Sequence, residues 1–203
     1  MMDFYHGPQS RSTSVLTLLD ELGALGQTQI HIVNIKRGDG TGAADPANPH
    51  PEGKVPYLVD GAEHIRERGA IFAYLTDKFP QAGLGPQVGE AGRGAYLSWL
   101  AYYQGVVEPV LVAQFLNIDN DQWRSTFRGK EEIGARIAEA LAKGPWLLGE
   151  RYSAADLLLA SPFVWYPPFM PDVPAIHDWV ERVKARPAQA RTMKMEQDWR
   201  ETV

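Results

Sequence analysis

The chain has 203 residues, 44% hydrophobic and 22% charged, a composition that suits one long globular domain or two short ones and argues against general disorder. Its net charge of −5 offers no basic footprint for a phosphate backbone, so nucleic acid is not an expected partner. Cysteine is absent, which excludes disulfides, cysteine-ligated zinc or iron–sulfur centres and a cysteine nucleophile. Thiol chemistry here requires the thiol of a small molecule.

The opening residues MMDFYHGPQS carry an acid where a signal peptide needs positive charge and lack its apolar stretch, so a cytoplasmic address is expected. The most apolar run, Leu157 to Met170, is too short for a membrane span and contains Pro162, Pro167 and Pro168. The histidines His6, His31, His50, His64 and His177 lack the paired spacing of a zinc hydrolase, and no metal site is expected.

In chain order, Asp3 to His6 is a strand candidate that Gly7-Pro8 ends before a helix from about Ser12 to Leu22, with Gly23 as its stop. Ile30 to Ile35 forms a second apolar strand, and the strand, helix, strand order implies a parallel pair. The stretch from Lys36 to Gly53, rich in glycine and proline, is a long loop of the kind that is usually functional or mobile. Val55 to Val59, Asp60-Gly61 and Glu63 to Ile65 spell strand, hairpin turn and return strand. Ile71, Phe72, Leu75 and Phe79 share a helical face that Pro80 closes.

Strand signal then gives way to helical periodicity near Gly83 to Gln87, where the linker is placed, so residues 1–82 form an α/β domain and residues 88–203 an all-helical one. In the second part, Glu90 to Phe115 is one long helix with a kink expected at Pro109. Another runs from about Lys130 to Lys143, and Ser153 and Asp156 form a capping box ahead of Leu157, Leu158 and Leu159. A last helix spans about Ala175 to Ala185 and ends before Pro187.

Three segments, taken together, resemble the cytosolic glutathione S-transferases, specifically bacterial members of serine rather than cysteine type. One is Gly53-Lys54-Val55-Pro56-Tyr57-Leu58 with Asp60-Gly61 and Glu67-Arg68-Gly69-Ala70-Ile71. Another is Trp146-Leu147-Leu148-Gly149 with Tyr152-Ser153-Ala154-Ala155-Asp156-Leu157. The third is Pro8-Gln9-Ser10-Arg11-Ser12, similar to the family's nucleophile-activating turn. The resemblance implies a thioredoxin-like N-terminal domain that binds glutathione as co-substrate, an all-helical C-terminal domain that helps form the electrophile pocket, a homodimer, and a detoxifying transferase.

On that resemblance, Lys54, Val55 and Pro56 meet the glutathione backbone, with the Val55–Pro56 bond expected to be cis. Ser10 is the preferred donor to the glutathione sulfur and Ser12 the helix cap; Ser12 itself and Tyr5 are the alternative hydroxyls. Glu67 and the helix start at Arg68 would hold the γ-glutamyl end. The sequence departs from the family at Arg68, where a small hydroxyl residue is usual, and in the long stretch Asn48 to Glu52. Arg68 either contacts the substrate carboxylate or blocks it, and its flexible stem allows it to swing to solvent.

Tyr96, Trp99, Tyr102, Tyr103, Phe115 and Trp165 are candidates for an apolar electrophile pocket, Tyr103 first among them, although aromatics at helical spacing more often form core. Two functions are therefore expected to compete: a transferase that adds glutathione to an apolar electrophile, and a noncatalytic binding or assembly module of the same fold. Disulfide reduction through a protein cysteine is excluded by composition.

Overall fold

The computed structural model describes residues 1–200. They form two compact units, one made of Met1–Ala82 together with the helix that begins at Pro187, the other of Gly83–Arg186.

In the first unit, β1 (Met2–His6) buries Met2, Phe4 and His6 on one face and leaves Asp3 and Tyr5 partly open on the other, the period of two that a pleated strand imposes. The helix α1 (Thr13–Glu21) carries Val15, Leu18 and Leu19 into the core, and Gly23, at φ 66°, ends it in the left-handed region. β2 (Thr28–Ile32) runs parallel to β1, with Phe4 beside Ile30. After a long loop, β3 (Tyr57–Asp60) pairs antiparallel with β1, and β4 (Glu63–Ile65) returns along β3. The sheet order is β2-β1-β3-β4, and α2 (Arg68–Lys78) adds Ile71, Phe72 and Leu75 to the core. Each such side chain contributes about 1.5–3 kcal/mol by leaving water.

The register fixes what lies at the functional end of this sheet. Tyr5 faces Tyr57, and Leu58 faces Ile65, so the exit of β1, the approach to β3 and the exit of β4 share one end. The Pro8 to Ser12 turn, Val55-Pro56 and Glu67-Arg68 are its direct continuations.

The chain does not end its ordered helices before Pro187. Proline suits the first turn of a helix, where its missing N–H is not needed, and here it starts α9 (Pro187–Arg200). Ala188, Thr192 and Glu196 are buried at a spacing of four, and Arg191 Nε bonds Asp20 Oδ2 of α1 at 2.8 Å. This helix therefore joins the α/β unit, whereas the sequence reading assigns it to the helical one.

The second unit contains α3 (Arg93–Tyr102), α4 (Glu108–Phe115), α5 (Asp121–Phe127), α6 (Lys130–Leu141), α7 (Ala154–Trp165) and α8 (Pro174–Lys184). The expected long helix is interrupted by a π-helical turn over Tyr103–Val107 rather than by a kink at Pro109 alone. The proline cannot donate to the preceding turn, and that turn adopts a wider spacing instead. At the start of α7, Asp156 accepts from Ser153 N–H (2.9 Å), Ser153 Oγ–H (3.0 Å), Leu147 N–H (2.8 Å) and Trp179 Nε1–H (2.9 Å). Burial pushes its carboxyl up while these four donors pull it down, burial prevailing.

Candidate active site

The turn after β1 gathers two of the predicted residues. Ser10 Oγ and Ser12 Oγ are 2.7 Å apart, and Ser12 N–H donates to Ser10 Oγ at 3.1 Å. Ser12 is fully buried, Ser10 only partly. Ser12 is not the side-chain cap of α1 that the sequence suggests. Its hydroxyl is engaged below the turn instead, accepting Gly7 N–H at 3.1 Å, with His6 Nδ1 at 2.7 Å and Gly7 C=O at 3.2 Å as the two acceptors within reach of its single proton. The backbone carbonyl of Ser10 receives Thr13 N–H.

Two residues outside the predicted set hold this turn. Gln9 adopts φ 54°, a conformation that costs a non-glycine residue energy unless its surroundings impose it. Glu196 Oε1 accepts Gln9 N–H at 3.2 Å, while the Arg37 guanidinium donates to Pro8 C=O at 2.9 Å and Gln9 C=O at 3.4 Å. Glu196 Oε1 also accepts from Thr13 Oγ1 and lies 3.2 Å from His6 Nε2, a contact that is an ion pair only when the ring is protonated. Burial pushes the Glu196 carboxyl up, but His6, Thr13 and Gln9 outweigh it and hold the group below the ordinary carboxylate range. The Trp199 ring closes over His6 with its centroid 5.5 Å away.

Tyr5 points the other way. Alternation along β1 puts it on the face opposite His6, where it stacks on His31 at 4.7 Å, and burial with Asp3 nearby raises its phenol. That geometry makes it a packing residue of the far face.

The Val55–Pro56 bond is cis. Val55 lies beyond the last β1–β3 pair, at Tyr5 and Tyr57, so the ladder makes no claim on its backbone. Lys54 is exposed and pairs with the equally exposed Glu52 at 3.2 Å, an arrangement of little energetic weight. Asn48 Nδ2 donates to Lys54 C=O at 3.1 Å, so the long Asn48 to Glu52 stretch is tied to the approach of β3.

Glu67 is exposed at the N-terminus of α2 with φ 65° and ψ 126°, a strained backbone for a side chain of its size. Arg68, by contrast, is 6% exposed and does not swing to solvent. Its Nη1 lies 3.5 Å from Ser14 Oγ, which draws the starts of α1 and α2 together. The packing that buries its stem favours this inward rotamer over hydration.

Tyr103 sits in the π turn at 1% exposure, its hydroxyl donated to Glu108. With Tyr96 it forms core, not pocket wall. Phe115 and Trp165 are the exposed members of the aromatic set, at 53% and 59%, with rings 6.1 Å apart. Among the described residues no group of three or more acidic or histidine side chains could hold a metal, and no helix is long and apolar enough to cross a membrane.

A four-stranded mixed sheet whose helix N-termini converge on one end, followed by a helical unit, defines a glutathione S-transferase fold. The chain belongs to that family: its N-terminal domain model matches residues 4–83 and its C-terminal domain model residues 107–187. Among curated relatives, the disulfide-bond oxidoreductase YfcG of Escherichia coli (strain K12) is 25% identical over 95% of this chain and 94% of its own. A glutathione transferase from Methylococcus capsulatus superimposes with TM-score 0.78 at 29% identity, covering 97% of this chain and 99% of its own. A sphingomonad glutathione S-transferase complexed with glutathione gives TM-score 0.75 at 25% identity, covering 96% and 98%.

Proposed function

We propose that the protein is a glutathione transferase that binds glutathione on the α/β unit and adds its thiolate to an apolar electrophile, in the cytoplasm and as a homodimer. The observation that carries this reading is the Ser10–Ser12 hydroxyl pair, 2.7 Å apart ahead of α1. The glutathione thiol ionises near about 8.5, leaving only a few per cent thiolate at neutral pH. Lowering that value by about two units needs about 2.7 kcal/mol. One hydroxyl donor to a charged sulfur supplies about 1.5–3 kcal/mol, and the α1 N-terminus adds to it.

In this reading Ser10 is the donor, because it is the partly open member of the pair. The Val55 backbone pairs with the cysteinyl segment of the substrate. Glu67 takes the ammonium of the γ-glutamyl end, and the N-terminus of α2 faces its carboxylate. Arg68 lends positive charge from beneath that start. Lys54 sits at the rim.

Titrating glutathione into the protein by calorimetry, while following the ultraviolet thiolate band, tests the reading. Binding with a thiolate band at neutral pH supports it. Binding without the band favours the noncatalytic module, and no binding removes glutathione from the account. A panel of aryl halides, epoxides, isothiocyanates and peroxides then identifies the electrophile.

A second reading follows from the relative named as a disulfide-bond oxidoreductase. The bound thiolate attacks a small-molecule disulfide, forming a mixed disulfide with glutathione and expelling the other sulfur as a thiolate. A second glutathione resolves it, so no protein cysteine is needed. Turnover of a small disulfide with none of the electrophile panel would select this reading.

A further inference from the structure

We propose that His6 is the terminal acceptor of the glutathione thiol proton, reached through the hydroxyls of Ser10 and Ser12, and that Glu196 positions the ring for this task. The inference rests on the glutathione-activating reading above and answers a question that reading leaves open: where the proton goes.

The chain of atoms is continuous. Ser10 Oγ is 2.7 Å from Ser12 Oγ, which is 2.7 Å from His6 Nδ1, and His6 Nε2 is 3.2 Å from Glu196 Oε1. A carboxylate facing Nε2 selects the tautomer with the proton on that nitrogen, so Nδ1 is left as an acceptor. At rest, Ser12 directs its single proton to Nδ1 at 2.7 Å rather than to the more distant Gly7 C=O at 3.2 Å, while accepting Gly7 N–H and the Ser10 hydroxyl, and Ser10 Oγ accepts Ser12 N–H. One lone pair of Ser10 remains open toward the turn's outer side, where the S–H of glutathione would donate.

Transfer moves one proton along each link. The S–H bond breaks and its proton bonds Ser10 Oγ; the former Ser10 proton bonds Ser12 Oγ; the former Ser12 proton bonds Nδ1. The products are a thiolate and an imidazolium beside an ionised carboxylate, with no net loss of protons or electrons. Each hydroxyl has reversed direction, so Ser10 now donates to the sulfur it helped to ionise. Both end states leave every hydroxyl with one donated and two accepted hydrogen bonds.

The acceptor end is built to face a positive ring: Glu196 Oε1 lies 3.2 Å from Nε2 of the buried imidazole. The Glu196 carboxyl is itself kept ionised by Gln9 N–H and Thr13 Oγ1. Around the ring lie Phe4 and Ser12 from its own segment and Glu196 and Trp199 from α9, and Glu196 is the charged group among these. The arrangement has the logic of an acid that orients a histidine, which in turn serves a hydroxyl.

The test counts protons. Glutathione is titrated into wild type near neutral pH in buffers of different ionisation enthalpy, and the protons released per thiolate formed are obtained together with the ultraviolet thiolate band. Retention on His6 predicts a thiolate band with almost no proton released. One proton released per thiolate overturns the proposal while leaving glutathione activation standing; absence of binding overturns both.

Glu196→Gln, which keeps the shape and removes the charge, is expected to lower the thiolate fraction and kcat by about tenfold, within the range that removal of one preorganised donor costs. Its KM for glutathione stays close to wild type. Arg191→Ala serves as control, because it cuts another tie between α9 and α1 and should reduce stability with the band unchanged. A wild-type band in Glu196→Gln refutes the positioning role. If that variant fails to fold, the proton count on wild type decides by itself.

Discussion

Ser10 Oγ and Ser12 Oγ share a 2.7 Å contact although one hydroxyl is partly open to solvent and the other is sealed below the turn. Their roles are therefore separable by mutation. Ser10→Ala is expected to raise the pKa of bound glutathione and slow conjugation by about ten- to a thousandfold, as for removal of one preorganised donor. Ser12→Ala should cost stability as well, because Gly7 N–H loses a buried acceptor. Steady-state rates and thermal melts of both variants check this; full activity in Ser10→Ala would overturn the assignment.

Glu67 combines exposure with a positive φ at the start of α2. Glu67→Gln should weaken glutathione binding by at least about 1 kcal/mol through loss of a charged contact, with the melting temperature unchanged. Calorimetry and a thermal melt separate this from a purely structural role, in which stability falls and affinity stays.

Arg68→Ser restores the hydroxyl usual in the family but deletes a buried guanidinium near Ser14. The expected outcome is a lower melting temperature and weaker glutathione binding, since positive charge is removed from beneath the carboxylate site. A tenfold gain in affinity, about 1.4 kcal/mol, would instead identify Arg68 as an obstruction.

Asp156 receives four hydrogen bonds from three segments of the helical unit. Asp156→Ala leaves those buried donors without an acceptor, at about 1–3 kcal/mol each, so a total loss of at least about 3 kcal/mol is expected. Denaturant unfolding measures it, and activity per folded molecule should stay near wild type.

Asp60 and Tyr74 offer a check in the alkaline range. The Asp60 carboxylate accepts the Tyr74 hydroxyl at 2.7 Å, and this bond, with burial second, pushes the phenol up to about 12. A group whose pKa is raised by folding contributes stability below its unfolded value, near about 10 for tyrosine, and loses it as pH climbs toward the folded value. Stability should therefore fall between those two limits. In Asp60→Asn, phenolate absorbance should appear at lower pH and the fall should shrink. An unchanged titration curve would contradict the assignment.

Much of the first unit was legible because its signals are local. Alternation in β1, the Asp60-Gly61 turn and the Ile71, Phe72 and Leu75 stripe each involve neighbours within one element, and the parallel pairing of β1 with β2 follows from their order. The Ser153–Asp156 cap was readable for the same reason, although its reach to Leu147 and Trp179 was not. Tyr103 shows the limit of such reading, since periodicity places an aromatic on a helical face without saying whether that face meets solvent.

By itself the sequence determined the two kinds of architecture, the absence of any protein thiol and the position of Ser10 and Glu67 at helix starts, because composition and short-range spacing suffice for these. Only the tertiary structure decided what Ser12 bonds, where Arg68 lies and that Glu196 serves a turn 187 residues earlier in the chain. The stripe of α9 that carries Glu196 consists of Ala188, Thr192 and the acid itself, so it lacks the large apolar residues that make a buried face visible in sequence. Its burial comes from contact with α1 and His6, and chain-distant contacts of polar groups leave no periodic trace.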